Sequence, residues 1–263
     1  MDWLNQSIMR KYGVAQGRDA ETHSLTEALQ GKYHYTIGPY SDPVLKVRPG
    51  DCVIVETRDA FDGAVKTEQD MPSRVLTMPF VNPQNGPIMV EGAENGDVIA
   101  VHIKSVKPRG PNPRGTCCMI PQFGALSGTS LRALLTDSLP EIVRKIDVDE
   151  EGVYWRKRVT LPYRPHIGTL SCSPEIDSIN TLTPDAHGGN MDLPDMGPGA
   201  SPTCLCKPQV VGFLLETPTP ARVTAKSAAR RWSLQAPPPL RWTSSNIGKL
   251  TGHAWRLKPS LWP

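Results

Sequence analysis

The chain has 263 residues, of which 38% are hydrophobic, 6% aromatic and 21% charged, with a formal net charge of +3. This length is sufficient for one sizeable core, and no apolar run reaches the roughly 20 residues that a membrane helix needs, so we expect no membrane partner. Residues 1–31 are polar and lack the apolar centre of a signal peptide, which predicts a cytoplasmic protein.

Turn-forming residues are abundant, with 22 glycines and 27 prolines. Such a composition favours short strands joined by turns over a helical bundle. We therefore predict a mainly β (α+β) fold, a sandwich or barrel with few short helices. The six cysteines, of which Cys117 and Cys118 are adjacent, do not resemble the dense disulfide framework of a small secreted domain, so we expect reduced thiols.

The first segment, residues 1–33, is a polar lead-in with weak helical character. Leu4, Ile8 and Tyr12 have helical spacing, and Gly13 is a helix stop.

Two segments then have the pattern of a β-hairpin. In the first, strand signals flank the turn Pro49-Gly50-Asp51, and in the second they flank Glu94-Asn95-Gly96-Asp97. The four predicted strands cover residues 44–47, 52–56, 87–91 and 98–106.

The chain between residues 107 and 161 alternates between irregular and regular patterns. Residues 107–130 are rich in proline and glycine and predict a long connection that borders a functional site. Leu131 to Ile146 is the best helix candidate, although Pro140 interrupts it, and a strand is predicted from Val153 to Leu161.

Two histidine segments carry most of the chemical signal, His166-Ile167-Gly168 and His187-Gly188-Gly189-Asn190-Met191-Asp192. A tight turn at Gly188-Gly189 would let His187, Asn190 and Asp192 converge on one point, as a metal site or an amide-polarising pocket requires. The alternative is an ordinary turn whose polar groups face water.

Three further segments have both a functional and a structural interpretation. Asp62 lies in Glu56 to Gly63, which follows a predicted strand and is either a site loop or a surface turn. Glu91, in the segment Asn82 to Asp97, is a site carboxylate or a solvated one. Cys172 is either a nucleophile toward an amide or, as we favour, a small core residue.

In their order, the segments 49–51, 56–63, 82–97, 166–168 and 187–192 resemble the acetamidase/formamidase family, and the resemblance extends over residues 34–200. The resemblance implies a β-rich enzyme, an amidase that hydrolyses a linear amide, formamide or acetamide, to ammonia and a carboxylate. It also implies a small amide as substrate, a divalent metal ion, zinc or calcium, and a homo-oligomer.

The resemblance assigns roles to particular side chains. The metal ion would lower the pKa of a bound water, and a nearby carboxylate would move the proton to the leaving nitrogen. The expected catalytic residues are Asp62, Glu91 and His187, the substrate-binding residues are His166 and Asn190, and the metal ligands are His187, Asn190, Asp192 and Asp62. The chain departs from the family at Ser171 and Cys172, where small residues are usual, and at Ala64, where glutamine is frequent.

The last segment, residues 201–263, does not continue the resemblance. It holds 9 Lys and Arg against 1 Asp or Glu, and four of the six tryptophans. The family continues with Gly-Asp-x-His-Ala-x-Gln-Gly-Asp-Gly-Glu, which is absent here. Codons read one base earlier allow Leu215 to Ala229 to spell Gly-Asp-Ala-His-Ala-Arg-Gln-Gly-Asp-Gly-Glu-Val-Cys-Gly.

We therefore interpret residues 201–263 as an aberrant, out-of-frame and disordered tail, created by a base change or sequencing error near Ala200. Loss of the site motif would make the chain inactive.

Two other interpretations of the tail are weaker. One is a basic nucleic-acid-binding extension that uses Arg230, Arg231, Trp232, Arg241 and Trp242; because the frame match explains the segment better, we expect no nucleic-acid partner. The other is a zinc site at Cys204-Leu205-Cys206, which lacks a second ligand pair.

For the whole chain, the alternative to a hydrolase is a non-enzymatic β-rich ligand-binding module, which metal-dependent release of ammonia would reject.

Overall fold

The computed structural model describes residues 20–94, 97–121, 123, 137–205, 214–215 and 255–257. These ranges contain two short helices, α1 (Glu27–Gln30) and α2 (Pro72–Val75). The strands are β1 Thr22–Leu25, β2 Thr36–Ile37, β3 Leu45–Val47, β4 Cys52–Val55, β5 Ile88–Val90, β6 Val98–Ala100, β7 Arg114–Met119, β8 Ile142–Val148, β9 Val153–Arg156, β10 Val159–Leu161, β11 Thr169–Ser171, β12 Ile179–Asn180, β13 Pro184–Asp185, β14 Gly188–Asn190, β15 Thr203–Leu205, β16 Leu214–Leu215 and β17 Trp255–Leu257.

A mainly β fold with few short helices is thereby confirmed. Two of the sheets have four strands, in the orders β10-β9-β8-β7 and β13-β14-β11-β16, and the main core lies around the fully buried Leu25, Ile99 and Leu170. No helix in the described ranges is long and apolar enough to cross a bilayer.

The first predicted hairpin does not form, although both of its strands do. β3 pairs in parallel with β5, and β4 pairs in parallel with β1. Asp51 explains the separation, because its buried carboxylate accepts the backbone N–H groups of Arg48 at 3.0 Å and Glu21 at 3.1 Å. The turn is therefore tied to the segment before β1 instead of aligning β3 with β4.

The second predicted hairpin is also wrong in its pairing. β6 is shorter than predicted and lies between β15 and β17, which leaves no free edge for β5. Ile99 and Ala100 are fully buried there, so the strand is central instead of being half of a two-stranded ribbon.

The predicted helix over residues 131–146 is wrong in the part that the structure describes, residues 137–146. Residues 142–148 form β8, which pairs with β7 over six residues and also with β9. Val143 and Ile146 are buried three residues apart, a spacing that mimics a helical face. Cross-strand packing decides the outcome, because β propensity depends strongly on neighbours.

Other boundaries differ in smaller ways. The predicted strand 153–161 is two strands, β9 and β10, and the predicted connection 107–130 contains β7. In the lead-in, the helical spacing falls on residues 1–19, which lie outside the described ranges, and residues 22–25 form β1.

Three short pieces of segment 201–263 belong to the described ranges. β15 and β17 flank β6, and β16 pairs with β11. The interpretation that the segment as a whole is out of frame and disordered stays a prediction.

Candidate functional site

The two histidine segments are joined by one antiparallel strand pair. In β11 and β14, Thr169 lies opposite Asn190 and Ser171 opposite Gly188. The pairing extends at both ends, because Asp192 N–H donates to the Gly168 carbonyl and Cys172 N–H to the His187 carbonyl, each at 2.9 Å. Since an extended residue advances about 3.3 Å, His166 and His187 belong to opposite ends of this pair.

The expected tight turn at Gly188-Gly189 is wrong, because both glycines lie in β14. Their φ angles are +94° and +87°. A Cβ at Gly188 would lie 2.4 Å from the Leu170 carbonyl oxygen, and one at Gly189 would lie 2.4 Å from the Thr183 carbonyl oxygen and 2.9 Å from His187 Nε2. The glycines therefore admit neighbouring backbone and the imidazole instead of forming a tight turn.

Both histidines are buried with ring nitrogens that have no hydrogen-bond partner among the described residues. His187 is 6% exposed and leaves Nδ1 and Nε2 unpaired, and His166 is 3% exposed and leaves Nδ1 unpaired. Buried polar groups are nearly always hydrogen-bonded, so these atoms mark the region as a candidate binding site. Burial lowers the pKa of both imidazoles, although Asp185 opposes the shift at His187. Both rings are therefore neutral near pH 7.

Three residues with a left-handed backbone conformation lie in segments that carry the family resemblance. Asp62, Asn82 and Asp192, with φ of 51°, 60° and 50°, are the non-glycine residues with positive φ in the described ranges. Asn and Asp adopt this conformation more readily than other side chains, and such outliers cluster at functional sites. Asn190, two residues before Asp192, is fully buried, and its Oδ1 accepts the Thr169 hydroxyl at 3.2 Å.

The Asp62 carboxylate contacts Tyr35 and Arg58. Its Oδ2 accepts the Tyr35 hydroxyl and its Oδ1 accepts Arg58 Nη1, both at 2.8 Å. Burial, and then the hydrogen bond to Asp62, raises the pKa of Tyr35 to about 12. Each carboxylate oxygen of Asp62 thus accepts one of these hydrogen bonds and keeps a second lone pair.

Arg58 extends this contact into an ion-pair network at a cleft of about 570 Å³. Its Nε bonds Glu27 Oε1 at 3.1 Å, and its guanidinium lies 4.3 Å from the centre of the Tyr33 ring. Arg109 bonds the same Glu27 oxygen at 3.1 Å and Glu56 Oε2 at 3.6 Å. Arg109, and then Arg58, hold the pKa of Glu27 below its usual value.

The cleft lies between the segment that follows β4 and the four-stranded sheet β7 to β10. Residues 107–109 form one wall, so the proline- and glycine-rich connection borders this cleft.

Two other sequence candidates lie elsewhere. Glu91 is half exposed, pairs with Arg48 at 3.3 Å and does not line the cleft. Cys172 is 1% exposed in the main core, where its side chain hydrogen-bonds Cys204 and lowers the pKa of the Cys204 thiol. This packing supports the structural interpretation of Cys172.

The described residues do not fit a complete metal site. Neutral imidazole suits zinc, and carboxylate suits calcium. However, no three His, Cys, Asp or Glu side chains of the described ranges come close enough to hold an ion. The expected set His187, Asn190, Asp192 and Asp62 would need donors from outside these ranges.

The sequence interpretation missed Tyr35, Arg58 and Arg109 as site residues. Arg58 and Arg109 lay inside segments that had been singled out, but only the folded chain places them both on Glu27. Tyr35 carried no signal in the sequence.

The chain is similar in sequence to known amide hydrolases. The model of the Acetamidase/Formamidase family matches residues 18–183. The formamidase of Methylophilus methylotrophus is 27% identical over 230 residues, which are 84% of this chain and 52% of that protein. The chain therefore spans about half the length of this curated relative.

Several crystal structures also match, two acetamidases among them. Acetamidase from Yersinia enterocolitica aligns with a TM-score of 0.76 and 62% identity, over 82% of this chain and 65% of that one. Acetamidase from Bacillus halodurans aligns with a TM-score of 0.64 and 26% identity, over 73% and 60% respectively.

Proposed function

The chain belongs to the acetamidase/formamidase family, and from this premise we propose that it derives from a hydrolase of linear amides such as formamide and acetamide. The reaction adds water to the amide carbonyl, breaks the carbon–nitrogen bond, and releases ammonia and a carboxylate. The observation that carries the proposal is the buried, neutral His187, whose ring nitrogens have no partner among the described residues.

His187 suits the proton transfers of this reaction. A neutral imidazole can accept a proton from the attacking water and return it to the leaving nitrogen. Because burial lowers its pKa, the ring is ready to accept a proton near pH 7. His166 and Asn190 are the proposed substrate-orienting residues, and Asp62 and Glu91 remain the proposed catalytic carboxylates.

The Arg58 contact bears on the role of Asp62. Arg58 Nη1 lies 2.8 Å from Asp62 Oδ1 and orients this carboxylate, and both residues line the cleft. An oriented carboxylate is what both of its proposed roles, catalytic carboxylate and metal ligand, require.

A divalent metal, zinc or calcium, remains part of the proposal only with donors from outside the described residues. We further propose that residues 201–263 are out of frame and that the missing motif supplies these donors. The family match ends at residue 183, before this segment. The chain as given is then an inactive copy, and its active form is a homo-oligomer.

The first test is to resequence the codons of residues 195–209 and to assay the chain and its frame-restored form for ammonia release from formamide and acetamide. We expect activity in the restored form only, and its loss in His187→Gln. His23→Gln is the matched control, because His23 bonds Asp51, which is not among the proposed site residues. A folded, restored protein that releases no ammonia from either amide would leave the non-enzymatic ligand-binding module as the better interpretation.

A further inference from the structure

Two buried cysteines from distant parts of the chain meet in the main core. Cys172 directly follows β11 and is 1% exposed, and Cys204 is the middle residue of β15 and is 5% exposed. Both are free thiols. The side chain and the backbone of Cys172 each hydrogen-bond the Cys204 sulfur. The two sulfurs are therefore neighbours in the folded chain.

A third contact places Cys204 against the strand that follows His187. A Cβ at Gly188 would lie 3.4 Å from Cys204 Sγ, so this sulfur packs beside β14. Ser171 lies opposite Gly188, and Cys172 N–H donates to the His187 carbonyl at 2.9 Å, so Cys172 is the residue opposite His187. The backbone of β11 and β14 therefore brings the two cysteines together independently of the hydrogen bond between their thiols.

We propose that Cys172 and Cys204 are an oxidisable thiol pair that closes reversibly to a disulfide when the protein meets a peroxide. Hydrogen-bonded sulfurs need to approach by only about 2 Å to reach the S–S bond length of about 2.05 Å. The bridge fastens β15 to the strand pair that carries His187. The inference does not rest on the proposed hydrolysis, and of segment 201–263 it requires only β15 to be folded.

The oxidation balances with hydrogen peroxide as the oxidant. The Cys204 thiolate attacks one peroxide oxygen, the O–O bond breaks, and the released hydroxide takes up the thiol proton to become water. Cys172 then attacks the sulfenic acid sulfur, the S–O bond breaks, and a second water leaves as the S–S bond forms. Two thiols are oxidised to one disulfide, and one peroxide is reduced to two waters.

Cys204 is the thiol that reacts first. The hydrogen bond from Cys172 lowers the pKa of the Cys204 thiol, although burial opposes this shift. A thiol with a lower pKa has a larger fraction of the reactive thiolate. Cys172 is then the resolving thiol, because it already contacts the oxidised sulfur.

Burial makes the reaction slow but does not prevent it. β15 has three residues and lies at one end of the sheet β15-β6-β17, so β6 is its one strand partner in the described ranges. Short segments of this kind open locally more often than the whole domain unfolds. A small neutral oxidant reaches the thiols during such openings, and closure of the core brings the sulfurs back together.

The test is to map the disulfides of the full chain after treatment with hydrogen peroxide. All six cysteines are possible partners, but cleavage at aspartate and glutamate leaves Cys172 and Cys204 on different peptides, because Glu175 and Asp195 lie between them. We expect a linked peptide pair that joins these two cysteines. The Tm should increase by roughly 5 to 10 °C, and dithiothreitol should reverse both changes.

Cys206 provides a matched control, because it lies two residues after Cys204 and on the same peptide. Cys204→Ser should abolish the linked pair and the increase in Tm, whereas Cys206→Ser should keep both. If a serine variant fails to fold, fragment-ion spectra of the unmodified chain assign the link to one of the two cysteines without a substitution. In urea, where β15 is unfolded, the preference for Cys204 over Cys206 should disappear.

Each outcome decides for or against the thiol pair. Absence of the link between Cys172 and Cys204 in the folded, oxidised chain overturns the inference. Equal linkage through Cys204 and Cys206 also overturns it, because the fold then makes no selection. A link that leaves the Tm unchanged or lowers it would show that the bridge does not fasten β15 in its folded position. None of these measurements depends on ammonia release, so they stand whether or not the chain is a hydrolase.

Discussion

His187 and His166 share a property that ordinary core histidines lack, since both are buried and both keep a ring nitrogen without a partner in the described residues. A satisfied core histidine would donate and accept within the fold. Burial lowers the pKa of both rings, and burial also lowers that of His34. Because protonation of a buried ring is unfavourable, the charge state of these histidines also affects the free energy of unfolding.

A pH dependence of stability follows from these histidines. In the unfolded chain an imidazole has a pKa near 6.5, above that of the buried rings, so the unfolded state binds protons first as the pH falls. We expect the free energy of unfolding to decrease between pH 7 and pH 5.5, as measured by denaturant titration. His187→Gln should reduce this decrease. A free energy that stays constant or increases over this interval would contradict the burial of neutral rings.

At the scale of single residues, the sequence motifs gave candidate side chains but not the contacts of those side chains. Asp62 and Asp192 were candidates from their motifs, and their left-handed backbone agrees with segments held in a fixed shape. The hydrogen bonds of Asp62 with Tyr35 and Arg58 could not be predicted, because only the folded chain brings these side chains together. Glu91 shows the opposite case, a motif residue whose partner is the exposed Arg48.

Among the elements, β14 is constrained by its glycines. Gly189→Ala should lower the free energy of unfolding by at least about 3 kcal/mol, because the new Cβ would collide with a backbone oxygen and adopt an unfavourable φ. Gly92→Ala is the matched control, since its φ is +75° but nothing lies within 4 Å of its Cβ. The control should lose only about 1 kcal/mol, the cost of the backbone conformation. Equal losses in denaturant titrations would show that close packing is unimportant in β14.

Arg109 links the segment before β7 to two carboxylates that line the cleft. Arg109→Ala removes both ion pairs with Glu27 and Glu56, and half-exposed pairs contribute at most about 1 kcal/mol. We expect nearly unchanged global stability but faster hydrogen exchange in residues 104–112. Arg114→Ala removes the similarly exposed pair with Asp147 and is the control. Equal exchange in the two variants would mean that Arg109 does not hold the segment.

Local patterns located strands but could not pair them. Period-two alternation and turn residues placed β3, β4 and β5 correctly, because these signals act within a few residues. Their pairing is parallel and connects distant segments, and no local pattern encodes such a choice. The failed helix at residues 142–148 has the same origin, since β7 and β9 determine its conformation.

For the whole molecule, the proposed loss of the C-terminal motif predicts a difference in metal content. After purification in the presence of zinc or calcium, the chain as given should hold well below one ion per chain, and the frame-restored form about one, because metal affinity requires a complete ligand set. Elemental analysis measures both values. A full equivalent of metal in the chain as given would show that residues 201–263 are not needed for the metal site.

The position of β6 between β15 and β17 also dictates when this protein can finish folding during synthesis. β6 comprises residues 98–100, but one of its partners is β15 at residues 203–205. A ribosome must therefore add about a hundred residues after β6 before that edge can be covered, and at 5–20 residues per second this takes roughly 5 to 20 seconds. Through that interval the nascent chain offers an apolar strand edge to other chains, so translation speed and chaperone supply should govern how much soluble protein a cell obtains.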